Sequence, residues 1–89
     1  MDSIGTVLSA LRSSRGLTQQ QLADLSGRNR AALAEVERGT ARGSDDFVSD
    51  LVAALHGAAP LTEDEMEAIR DARARPILGG IDQPADGAA

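Results

Sequence analysis

The sequence predicts an all-α domain of five short helices, and three observations carry that expectation. Capping residues and glycine stops recur along the chain. Between them, apolar side chains repeat at helical spacing. The 89 residues contain one Phe and no Trp, Tyr or Cys, so Leu, Val, Ile and Ala must fill the core, a composition suited to short helices. A chain of this size has room for one domain and must use nearly every apolar side chain. Neither a disulfide nor a thiolate metal site can help, and the single His56 cannot make a metal site without other donors.

The first helix follows from Ile4, Val7, Leu8 and Leu11, which fall on one helical face, with Ser3 as cap and Gly16 as stop. The second opens on Thr18-Gln19-Gln20-Gln21, a capping box with Leu17 and Leu22 placed as a hydrophobic staple, and runs to about Ser26. Gly27 supplies a left-handed stop. Asn29 then caps a third helix that buries Leu33 and Val36 and ends at Gly39, so the second and third helices are joined by a tight turn. Ser44, followed by Asp45 and Asp46 at the positive end of the helix dipole, starts the fourth, whose inward stripe is Phe47, Val48, Leu51, Val52 and Leu55. Thr62 and Glu65 repeat the capping box, with Leu61 and Met66 as staple partners, for a fifth helix reaching about Ala74. Pro76 ends it. Residues 1–75 are thus expected to form the domain, and the Gly, Pro and Ala content of 76–89 predicts a disordered tail, in which Ile77, Leu78 and Ile81 offer a short extended segment to a partner as a second reading.

The overall charge is -5, but it is unevenly spread. Residues 1–43 hold six arginines against four acids, a net of +2. Residues 44–89 hold three arginines against ten acids, a net of -7. Local charge decides phosphate contact, so the acidic total leaves the first half open to nucleic acid. The N-terminal residues lack the pattern of a secretion signal and no apolar run is long enough to span a bilayer, which predicts a cytoplasmic protein without a membrane partner. The acids Glu63, Asp64, Glu65 and Glu67 match the dipole of the fifth helix rather than an acid-base pair, and no nucleophile, second His or phosphate loop accompanies them. No enzyme and no cofactor is implied. His56 is read as a favourable residue at the end of the fourth helix.

The segment Leu17 to Gly27, followed by Arg28-Asn29-Arg30, Leu33 and Val36-Glu37-Arg38-Gly39, resembles the phage-repressor-like (Cro/C1, XRE-type) helix-turn-helix family. The resemblance extends over 4–74 and implies a compact lambda-repressor-like domain of five helices whose third enters the major groove of double-stranded DNA, as in a transcriptional regulator. Ala23 is the small residue where the second and third helices cross. By resemblance Gln19 contacts phosphate, Arg28, Asn29, Arg30 and Ala31 stand at the start of the reading helix, Glu35 lies on it, and Arg38 and Arg42 hold the backbone or reach the minor groove. The sequence departs from the family where Arg28 replaces an aliphatic residue and Ala31, Ala32 and Ala34 replace hydroxyl or amide side chains. Glu35 opposes phosphate or accepts from cytosine. Asp50, on the fourth helix behind the reading unit, is expected to matter little for DNA. A domain this small reads few base pairs, which implies a homodimer on a two-fold site. An alternative from another class is a protein-interaction adaptor or antitoxin-like subunit that holds a basic partner with its acidic second half.

Overall fold

The computed structural model describes residues 3–74. They form five helices, α1 (Ile4–Ser14), α2 (Gln19–Ser26), α3 (Arg30–Arg38), α4 (Asp45–Ala58) and α5 (Glu63–Arg73), with no strand among the described residues. The expectation for 76–89 lies outside the described residues.

Each helix begins where its side-chain cap allows. Ser3, Thr18, Asn29, Ser44 and Thr62 accept from the backbone N–H three residues on, at 3.0 to 3.3 Å, which satisfies a donor the helix leaves unpaired. Both predicted boxes close, with the Thr18 N–H donating to Gln21 Oε1 at 2.8 Å and the Thr62 N–H to Glu65 Oε1 at 3.0 Å. The staple at α5 is less complete than expected: Leu61 joins the core, whereas Met66 is 37 % exposed.

The core is aliphatic and small. Leu8, Leu22, Leu33, Leu51 and Leu55 are fully buried, so α1, α2, α3 and α4 each anchor on at least one leucine, and α5 adds Ile69 and Ala72. The α1 helix packs against α3, α4 and α5, and α2 packs against α3 and α4. Where α1 meets the end of α3, backbone approaches backbone. A Cβ built on Gly5 would lie 1.9 Å from the Val36 carbonyl oxygen, so only glycine permits the approach. Ala23, 0 % exposed, is the small residue expected in α2.

A second fixture holds the far end of the molecule. Arg15, the C-cap residue of α1, donates through Nε to the Leu55 and Ala59 carbonyls at 3.0 and 3.1 Å and through Nη2 to Ala59 at 2.9 Å, satisfying acceptors at the end of α4. Its Nη2 also meets Glu65 Oε1 at 3.1 Å. One guanidinium thereby joins the ends of α1 and α4 to the start of α5. That partnership holds the Glu65 carboxyl below the ordinary glutamate range, with the bond from Arg15 as the largest cause and the Thr62 backbone bond next.

Candidate nucleic-acid interface

The connection between α2 and α3 is closed by local chemistry. Gly27 takes the left-handed conformation at φ 71°, ψ 25°, and the flanking amides fold back, Arg28 N–H to the Ala23 carbonyl at 2.9 Å and Gly27 N–H to Asp24 at 3.3 Å. This is the paired 6→1 and 5→2 pattern that ends a helix sharply. Asn29 then restarts the chain as α3, so Arg28 lies in the turn and Asn29 at the cap, both before the helix that the resemblance had them begin. Leu33 and Val36 face the core, as expected.

What remains outward on α3 is a narrow face. Ala31, Glu35 and Arg38, spaced i, i+4 and i+7, are exposed, with exposed Arg30 beside them at the first turn and exposed Arg42 in the loop beyond. Arg30, Arg38 and Arg42 form no ion pair among the described residues. The reading of Ala31, Ala32 and Ala34 as three lost donors needs correction. Ala34 is 8 % exposed and belongs to the buried side, and Ala32 is half-buried against the core, so Ala31 alone stands on the open face.

The angle between α2 and α3 is fixed by a largely shielded ion pair. Arg12 Nε and Nη2 grip Glu37 Oε2 and Oε1 at 2.8 and 3.1 Å, and Arg12 Nη1 donates to the Leu17 carbonyl at 2.7 Å. The Glu37 side chain is only 6 % exposed. Gln19 completes the network, its Nε2 donating to Glu37 Oε1 at 3.0 Å. The start of α2 and the end of α3 are therefore held through one carboxylate, and a bidentate charged pair supplies direction as well as attraction. The Gln19 amide is engaged in that network, while no group among the described residues accepts from the backbone N–H of Gln19 or Gln20 at the positive end of α2.

Arg28 is also held. Its Nε donates to Asp50 Oδ2 at 2.9 Å and its Nη2 to the same oxygen, while the guanidinium lies over the Phe47 ring at 5.5 Å from the centroid. An arginine thus fills the place where the resemblance puts an aliphatic side chain, packing its charged group on the ring. Asp50, expected to stand apart from the reading unit, is bonded to its turn. Of the six arginines in the first half, Arg12 and Arg15 are turned inward and Arg28 is paired, so the sequence count of local positive charge overstates what is free. Periodicity had no means of finding these partners, which lie 22 to 50 residues away in the chain.

Two helices joined by this turn, the second carrying an open face and fastened from behind, define the helix-turn-helix class. The chain belongs to the helix-turn-helix domain family, whose model matches residues 3–69. No curated protein and no solved structure matches the chain. No helix among the described residues is long and apolar enough to cross a membrane.

Proposed function

We propose that this protein is a sequence-specific DNA-binding transcriptional regulator of the cytoplasm that lays α3 in the major groove and acts as a homodimer. The observation that supports it best is the combination on α3 of an anchored inner side with an outer face where Arg30, Arg38 and, beyond the helix, Arg42 form no ion pair among the described residues. In this reading residues 1–75 are the binding domain. Arg30 and the amide of Asn29 reach base edges, where a guanidinium suits O6 and N7 of guanine. Ala31 offers a methyl surface to thymine, and Glu35 accepts from cytosine N4 while discouraging misplaced phosphate. Arg38 and Arg42 hold the backbone. The open amides of Gln19 and Gln20 at the start of α2 take a phosphate, the anion that a helix N-terminus favours, with the Gln19 side chain fixed beside it.

Selection of binding sites from a random duplex pool, followed by titration of the selected site at several salt concentrations, tests this reading. Enrichment of a two-fold sequence with half-sites about 34 Å apart, two chains per site, and an affinity that falls steeply with salt is expected. No enrichment and no dependence on salt would remove the DNA reading and favour a protein partner.

A further inference from the structure

We propose that Asp50 withholds the charge of Arg28 from DNA phosphate and so keeps the affinity for random-sequence DNA low. The inference rests on the DNA-binding reading above and deepens it. Arg28 sits in the turn two residues before α3, and Asn29 and Arg30 beside it are exposed, so the residue borders in sequence the face assigned to DNA. The side chain is one third exposed. Phe47 and Asp50 stand three residues apart on α4, on one helical face, so ring and carboxylate together hold the guanidinium against the first half of α4. Nε and Nη2 are directed to Asp50, whereas Nη1 has no acceptor among the described residues. Only part of the donor edge is therefore occupied.

The surroundings make this pair different from the other two in the first half. Arg12 and Arg15 bond to backbone carbonyls as well as to a carboxylate, and their side chains are 16 % and 6 % exposed. Arg28 bonds to a carboxylate alone, and that carboxylate is half-exposed. Water and salt reach the pair, so Asp50 cancels the charge of Arg28 without locking the side chain, and a phosphate can gain Arg28 only by displacing Asp50. The other charged groups of the first turn of α4 do not compete for Arg28. Asp45 is paired with Arg73 at 3.0 Å, and Asp46 is exposed with no ion pair among the described residues. The charge of Arg28 is then present but cancelled, and removal of the Asp50 charge releases it to phosphate.

The test is the salt dependence of binding to a random-sequence duplex, compared among the full-length wild type, Asp50→Asn, Asp50→Glu and the double variant Arg28→Gln/Asp50→Asn, with melting measured on each. Each added phosphate contact steepens the slope of log affinity against log salt by about 0.9, which at ~0.1 M salt is roughly an eightfold gain. Asp50→Asn is expected to show that steepening, Asp50→Glu to keep the wild-type slope, and the double variant to return to it. A merely structural role for Asp50 moves melting but not the slope. Asp50→Ser carries the same expectation if Asp50→Asn folds poorly. An unchanged slope in Asp50→Asn, or a steep slope kept in the double variant, overturns the inference while leaving DNA binding in place. Absence of binding by every form overturns both.

Discussion

The end of α1 and the outer face of α3 carry the same residue type to opposite ends. At the end of α1, all three guanidinium nitrogens of Arg12 and of Arg15 bond to other parts of the protein, across to α3 in one case and to α4 and α5 in the other. Along α3 and the loop after it, Arg30, Arg38 and Arg42 are exposed and form no ion pair among the described residues. The first region makes stability out of charge and the second leaves charge available for a ligand. Arg28 lies between these cases, paired yet accessible. Local charge in a small domain therefore bears on a partner only through the part of it that is not taken up by internal pairs.

The largest loss of stability is expected at the other end of α1, at its closest approach to α3. Gly5→Ala sets a methyl group against the Val36 carbonyl and must separate α1 from α3, because the obstruction is backbone and cannot swing aside. A loss of ~3 kcal/mol or more in denaturant unfolding is expected. Retention of wild-type stability would mean that the two helices do not cross as described.

A smaller loss, about 1–3 kcal/mol, is expected for Arg15→Ala, since the carbonyls of Leu55 and Ala59 lose a charged donor at the end of α4. Thermal and denaturant unfolding measure it. The same substitution should leave the DNA affinity of the folded protein nearly unchanged, because Arg15 lies on the internal side of the comparison. A loss of affinity larger than the loss of stability would erase that division.

Acid sharpens the same contrast. The Glu65 carboxyl is held below its ordinary value by the bond from Arg15, so the folded state favours its charged form. Its contribution is complete above the unfolded value near 4.5 and is lost as pH falls through the lower folded value. Melting followed from pH 7 to pH 3 should show a smaller acid-induced decrease for Glu65→Gln than for the wild type. Equal decreases in the two would mean that other carboxylates account for the acid sensitivity.

The fold was legible because its determinants are local. A threonine and the glutamine or glutamate three residues on make a box wherever they meet, and Gly27 and Gly39 stop helices by conformations that follow from the missing Cβ. The open face was legible in outline, since burying Leu33 and Val36 leaves Ala31, Glu35 and Arg38 on the other side. The pairings were not. Arg12 finds Glu37 25 residues away, Arg15 finds Glu65 at 50 and Arg28 finds Asp50 at 22, and no local pattern distinguishes these arginines from Arg30 or Arg38. Gly5 escaped notice for the same reason, because its role is set by the crossing of two helices rather than by its own.

If the outward arginines of α3 serve DNA and contribute almost nothing to folding, Arg30→Ala separates the two roles in one variant. Exposed and without an ion pair among the described residues, Arg30 should be removable with a change in unfolding free energy within about 0.5 kcal/mol. Titration of the same variant on the selected duplex should show binding weakened by about 1–3 kcal/mol, with discrimination relaxed at the base pair that Arg30 meets. Sharply reduced melting with unchanged DNA affinity would contradict the account, for it would place Arg30 among the internal arginines and turn α3 away from DNA.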